Sequence, residues 1–164
     1  MVRRKSQRVI DIADEQTVLD VDPKPLRMAV ERVLVEASIV RAEISVALVD
    51  DAAIREMNRR YLAHDYATDV LSFVLDASPE HVDGQIVVSV ETARAEAARW
   101  GWSPADELLL YVIHGALHLV GQDDAATEQR DAMRRREREI LASFGLEPHW
   151  ESAAGERERE EPES

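Results

Sequence analysis

The stretch His114-Gly-Ala-Leu-His118-Leu-Val-Gly121-Gln-Asp-Asp124 decides how the rest of this 164-residue chain is read. It sets two histidines four apart in an apolar helix, ends that helix with a glycine, and supplies an aspartate three residues later. Residues four apart on a helix share a face, with Cβ atoms roughly 5–6 Å apart. Two imidazoles placed so can converge on one ion at about 2.0–2.1 Å each. Gly121 lets the chain turn sharply, because glycine tolerates the left-handed backbone at a helix end, and the turn can return Asp124 as an oxygen ligand. A His/His/Asp set leaves a fourth position for water, the open geometry of a catalytic zinc rather than the closed one of a structural zinc. The competing reading makes both histidines core residues, but two buried imidazoles on one apolar face would each need a hydrogen-bond partner.

Working outward, Ser103-Pro104-Ala-Asp-Glu107 is a strong helix start: serine at the cap, proline in the first position, acids in the first turn. The helix it opens runs to Val120 and is apolar nearly all round (Leu108, Leu109, Leu110, Val112, Ile113, Leu117), which predicts a buried central helix. Glu107 lies on the histidine face two turns earlier and is read as a first-turn acid favoured by the helix dipole. Before it, an alanine-rich helix over 91–100 is stopped by Gly101. Apolar runs at 68–75 (TDVLSFVL) and 85–90 (QIVVSV) predict two strands that pair as a hairpin across a turn at 79–84.

Earlier still, Asp50-Asp51 caps a helix with the apolar stripe Ile54, Met57 and Tyr61, and 43–49 (EISVALV) reads as a strand. Asp22-Pro23 starts a helix reaching about Ser38, and 8–21 alternates as extended structure with a turn between its halves. After the metal motif, a last helix spans Thr127 to Ser143 and ends at Gly145. Together these predict an α+β fold, a small mixed sheet packed with helices, with the central buried helix carrying the metal motif. Residues 1–150 are expected to form a single domain. The stretch 151–164 has six glutamates and two arginines and no apolar face, and is expected to be an acidic, disordered tail.

Composition narrows the function classes. The formal net charge is -13, which argues against a non-specific nucleic-acid coat but is compatible with an enzyme meeting RNA at one local basic cleft. The absence of cysteine excludes disulfides and thiolate metal sites and fits a reducing compartment. The start, MVRRKSQRVIDIADEQ, reaches acids before any apolar run develops, so no signal peptide is expected. The longest strongly apolar run, 108–113, is too short to span a bilayer. A cytoplasmic protein without membrane association is expected.

The spacing H-x3-H-x2-G-x2-D is similar to that of metzincin proteases, with aspartate as third ligand. Those enzymes need a glutamate directly after the first histidine as general base. Gly115 stands there, so a peptidase would lack its base.

HGALHLVGQDD also resembles H-G-x-L-H-L-x-G-Y-D-H, the signature of the YbeY family of metal-dependent endoribonucleases, also called rRNA maturation factors. The resemblance extends through Asn58-Arg-Arg-Tyr61, Thr68-Asp-Val-Leu-Ser-Phe73 and Gly84-Gln-Ile-Val-Val-Ser89, and through Met133, Glu137 and Ile140, covering about residues 8–149. It implies one zinc ion at the end of the central helix, held by His114, His118 and Asp124. It implies hydrolysis of single-stranded RNA in 3′-end maturation of 16S rRNA and in ribosome quality control. The implied partners are rRNA or the ribosomal small subunit, together with proteins of ribosome assembly.

Three positions depart from the family pattern. Asp124 stands where the family has histidine, Leu62 where it has arginine, and Gln85 where it has aspartate. Aspartate is a competent zinc ligand. Leucine cannot clamp a phosphate as a guanidinium does, which motivates a second reading: an assembly factor with a structural metal and weak or lost nuclease activity. Arg59, Arg60 and His64 are the nearby candidates to replace the arginine, against the plainer reading of Arg59 and Arg60 as solvated helix charges. Asp69 and Ser72 line the cleft or serve a strand edge. Asp123 orients a ligand through a hydrogen bond or shapes the turn. The run Arg134-Arg135-Arg136 with Arg138 reads as an exposed face paired with Glu128, Asp131, Glu137 and Glu139, with RNA contact as the alternative.

Overall fold

The computed structural model describes residues 6–149. In chain order it contains β1 (Gln7–Asp14), α1 (Pro23–Glu36), β2 (Arg41–Val49), α2 (Asp51–Leu62), β3 (Val70–Ser78), β4 (His81–Ser89), α3 (Val90–Trp100), α4 (Pro104–Leu119) and α5 (Thr127–Ser143). The sequence places an acidic tail at 151–164, outside the described residues.

Alternation along β2 sorts the molecule into layers, since successive strand residues face opposite sides of a sheet. Ala42, Ile44, Val46 and Leu48 join the main core with α1 and α4, whereas Ala47 and Val49 join a smaller cluster with Ile54 of α2 and Val87 of β4. The sheet order is β1-β2-β4-β3. The β1–β2 and β2–β4 pairs are parallel and the β3–β4 pair is antiparallel. Parallel neighbours need a crossover, and α1 supplies the one between β1 and β2, burying Leu26, Ala29, Val30, Val33 and Leu34 at helical spacing. This is the α+β arrangement expected, a mixed sheet packed with helices.

The central helix is α4. Its N-cap Ser103 accepts from the Asp106 amide at 3.1 Å, and Leu108, Val112, Ile113, Ala116 and Leu117 are buried. Gly115 faces the β3–β4 hairpin so closely that a Cβ would stand 2.7 Å from Ile86 Cγ2 and 3.1 Å from Ser72 Oγ. The position that denies a peptidase its glutamate is thus also one where any side chain would push helix and sheet apart.

Four expectations are corrected. β1 ends at Asp14 rather than continuing toward Val21. Beyond it Gln16 folds the chain locally, its Oε1 accepting from the Val18 and Leu19 amides at 2.8 and 2.9 Å. The hairpin turn is shorter than 79–84, because β4 begins at His81. Val74 pairs with Gly84 and Asp76 with Asp83, leaving Leu75 as an extra bulged residue, and the pairing runs on to Ser78 opposite His81. Val90 opens α3 instead of closing the strand, because Ser89 Oγ caps that helix by accepting from Thr92 N at 3.2 Å. Finally, Tyr61 is 60% exposed; Asn58 takes the inner place on α2, donating to Tyr66 O at 3.0 Å.

No helix among the described residues is long and apolar enough to cross a membrane. Asp76, His81 and Asp83 also bring possible ligand atoms together near the hairpin turn. Their geometry already has a local use: Asp83 Oδ1 lies 2.8 Å from His81 Nε2 and accepts from Glu43 N at 3.1 Å, fastening β4 to β2.

Candidate metal centre

His114 and His118 leave the last turns of α4 with side chains 28% and 29% exposed. Their Nε2 atoms are 3.1 Å apart and their rings meet edge to face at 78°. The helix ends at Val120, and Gly121 takes φ +95, a backbone that residues with a Cβ avoid. The Gly121 and Gln122 amides close the helix end on His118 O and Leu117 O, each at 3.0 Å. Asp123 Oδ1 then accepts from the Asp124 amide at 2.7 Å and from Ala125 N at 3.3 Å, tightening the loop.

This turn brings Asp124 Oδ2 to 3.5 Å from His114 Nε2 and 3.6 Å from His118 Nε2. The three atoms form a triangle with edges of 3.1, 3.5 and 3.6 Å. Ligands held tetrahedrally at about 2.0–2.1 Å from zinc stand about 3.3–3.4 Å apart. The donor set and its spacing therefore fit a small divalent ion, with one tetrahedral position left for a further ligand.

The orientation of His114 comes from α5. Met133, Glu137, Ile140 and Leu141 form the buried face of that helix. Glu137 is only 5% exposed, and its Oε1 lies 2.6 Å from His114 Nδ1. A carboxylate accepts, so Nδ1 carries the proton and the Nε2 lone pair points into the triangle. Burial alone would lower the His114 pKa, but the Glu137 hydrogen bond and charge, helped by Asp124 and Asp69, outweigh it and raise His114 above the ordinary imidazole value.

Glu137 is thus no surface partner for the arginines of α5, as its neighbours in sequence suggest. Nor do the hydrogen bonds of Asp123 reach a histidine: they shape the turn, and the carboxylate that orients a ring belongs to Glu137. An acid inside the apolar Met133–Ile140 stripe was the available signal.

Glu107 also departs from its surface reading. It is 3% exposed, and its Oε2 sits 2.9 Å from His149 Nε2. The His149 ring stacks on Trp100 and meets Trp102 edge-on, fastening the segment after α5 to the end of α3. Burial raises the neighbouring Tyr111 hydroxyl far above the ordinary phenol range, assisted by Glu107, so it stays protonated.

The histidine pair lies between two depressions. One, of about 510 Å³, opens toward α5 and is lined by Asp69, Tyr111, His114, Asp124, Arg130 and Arg134 among others. The other, of about 370 Å³, opens toward β3 and is lined by Asp69, Val70, Ser72, Val74 and both histidines among others. Asp69 and Ser72 therefore do border the site, and Ser72 Oγ also donates to Gly115 O at 3.1 Å.

Arg59 and Arg60 of α2 and His64 just beyond it do not join them: these three, like Leu62, are absent from both linings. Arg59 pairs with Glu56 at 2.5 Å, Arg60 lies 6.0 Å from the Tyr61 ring centroid, and His64 lies against Tyr66. Gln85 projects to the side of the sheet away from α4, because its neighbours Gly84 and Ile86 are the residues that meet that helix. The α5 basic run divides: Arg134 borders the cleft, whereas Arg136 is tied to Glu36 of α1 and to Glu139.

Comparison with known proteins follows the same lines. The family model described as Endoribonuclease YbeY matches residues 11–145. A protein of that name from Rhodopirellula baltica is 47% identical over 109 residues, covering 65% of this chain and 56% of its own length. The chain thus spans little more than half of that relative. One from Geobacillus kaustophilus is 40% identical over 133 residues, covering 71% of this chain and 85% of its own. One from a Sulfurovum species is 38% identical over 139 residues, covering 81% and 89%. The solution structure of a Thermotoga maritima protein shares the fold with a TM-score of 0.57 at 24% identity, covering 83% of this chain and 91% of that one.

Proposed function

The chain belongs to the YbeY endoribonuclease family, and on that footing we propose that it is a zinc-dependent endoribonuclease acting on single-stranded RNA. Its role is in rRNA processing, at the 3′ end of 16S rRNA, and in ribosome quality control. It works in the cytoplasm on rRNA or the small subunit, in company with assembly proteins, and residues 1–150 act as one catalytic domain. The observation that carries this reading is the triangle of His114, His118 and Asp124 backed by the Glu137–His114 hydrogen bond.

His114, His118 and Asp124 would hold the ion. A zinc ion so held supplies Lewis-acid polarisation of a phosphate oxygen and lowers the pKa of water toward neutrality. Glu137 keeps the His114 proton on Nδ1 and so keeps Nε2 available. The two depressions beside the histidines leave room for a strand on either side of the reacting phosphate.

Leu62 supports a second reading, an assembly factor with a structural metal and weak or lost nuclease activity. It ends α2, is 46% exposed, and offers no donor to a phosphate. Metal analysis of purified protein beside RNA cleavage, for wild type and Asp124→Ala, separates the readings. The endoribonuclease gives one metal per chain and cleavage in the wild type, both lost or greatly reduced in Asp124→Ala. Metal-bound wild type that cleaves nothing under any metal supplement favours the assembly factor, and a substantial gain in Leu62→Arg would identify that position as limiting. Wild type without stoichiometric metal removes the site itself.

A further inference from the structure

Arg130 and Arg134 are four apart on α5 and therefore share a face, and that face borders the larger depression beside His114 and Asp124. Both are exposed, and among the described residues neither makes an ion pair or a side-chain hydrogen bond. Arg55 is paired with Asp65, Arg59 with Glu56, and Arg136 with Glu36 and Glu139. What sets this pair apart from the other arginines unpaired among the described residues, Arg41, Arg94 and Arg135, is its place on the lining of the cleft.

Nor do the acids at the centre of the cleft serve as their counter-charges. Asp124 faces the two histidines, Glu137 is bound to His114, Glu107 is paired with His149, Asp69 accepts from Val70 N and Thr68 Oγ1, and Glu96 accepts from Trp100 Nε1. In a chain of net charge -13, two uncommitted guanidinium groups at the mouth of the metal cleft await an anion from outside. The guanidinium fork matches phosphate oxygens with two parallel donors.

We infer that Arg130 and Arg134 form a phosphate-binding site for the backbone of single-stranded RNA, on the α5 wall of the cleft. The inference rests on the endoribonuclease reading above and supplies the cationic contact that Leu62 cannot make. It puts the contact on α5 instead of on α2. Contacts to phosphate fix register without reading base identity, so the pair anchors a strand whose neighbouring phosphodiester lies at the metal ligands.

The test measures binding, by fluorescence anisotropy, of a labelled 2′-O-methyl oligoribonucleotide that resists cleavage, across a salt series. It compares full-length wild type, Arg130→Gln/Arg134→Gln and Arg59→Gln/Arg60→Gln, with metal content measured for each. The positions are exposed helix surface, and circular dichroism checks that the fold is kept. The α5 double variant should bind about tenfold or more weakly at unchanged metal content. Its slope of log affinity against log salt should be shallower by about 1.4, from two contacts at about 0.7 each for single strands. The α2 double variant should bind like the wild type.

Equal affinity and slope in wild type and the α5 variant would overturn the phosphate site while leaving the endoribonuclease reading standing. A wild type that binds no RNA even at low salt would overturn both. Displacement of the RNA by polyglutamate, with the same dependence on Arg130 and Arg134 and at equal charge concentration, would reassign the pair to an acidic protein ligand and overturn the RNA assignment.

Discussion

Glu137 on α5 holds His114 on α4 at 2.6 Å, and so ties the last helix of the described fold to the first residue of the metal motif. The contact is between a carboxylate 5% exposed and an imidazole partly open to the cleft. One side of the ring is thereby anchored in the core while the other faces Asp124 and His118.

Removing that anchor should weaken metal binding without deleting a ligand. Glu137→Gln is expected to lower zinc affinity about 10–100-fold, the usual cost of losing an outer carboxylate behind a histidine. Competition with a chromophoric chelator measures it. Affinity unchanged in Glu137→Gln would show that the ring is oriented by something else.

The same contact gives the metal-free protein a pH signature. Burial depresses His114, yet Glu137, Asp124 and Asp69 raise it above the ordinary value of 6.5. A histidine raised by folding stabilises the folded state fully below its unfolded value, and that contribution is lost as pH rises through the folded value. Stability of the chelator-treated protein should therefore fall as pH climbs from about 6 upward, through the His114 contribution. Glu137→Gln should flatten this dependence, and ring resonances followed by NMR should show His114 titrating lower. A His114 titration unaffected by the substitution would contradict the assignment of its cause.

Gly115→Ala tests how α4 is seated. The added Cβ would stand 2.7 Å from Ile86 Cγ2 and 3.1 Å from Ser72 Oγ. Relief requires the helix or the hairpin to move, and overpacking of this kind costs about 1–3 kcal/mol. Denaturant unfolding should show that loss together with weaker zinc binding, because His114 is the next residue. Full stability in Gly115→Ala would mean that the α4–hairpin approach is looser than described.

Asp124→His asks whether the third ligand is set by the loop or by the residue type. Imidazole suits zinc well, and Gly121 with the Asp123 turn delivers the side chain at 124 whatever its identity. One zinc per chain should be retained, at equal or higher affinity. Loss of stoichiometric metal in this variant would indicate that the loop geometry depends on the Asp124 carboxylate.

Much of this was legible in the sequence, for identifiable reasons. The central helix announced itself by its Ser-Pro start and its unbroken apolar surface, and the His114, His118 and Asp124 positions by helical period and a terminal glycine. The hairpin was legible too, but not its true length, because His81-Val-Asp-Gly84 has turn-like composition and joins the strand only by pairing past the bulge at Leu75. Glu137 sits among the many charges of α5, and Glu107 reads as a first-turn acid of α4; their burial arises only when α5 and the segment bearing His149 pack against α4. Arg59 and Arg60 are close to Leu62 in sequence only, whereas Arg130 and Arg134 reach the cleft through packing that no local pattern encodes.

The decisive measurement is cleavage of a single-stranded RNA by protein stripped with chelator and then returned to one equivalent of zinc, for wild type and Asp124→Ala. A zinc-dependent endoribonuclease built on His114, His118 and Asp124 loses activity on stripping, regains it with one equivalent in the wild type, and regains little or none in Asp124→Ala. Cleavage that persists in the stripped protein, or that returns equally in Asp124→Ala, would contradict it.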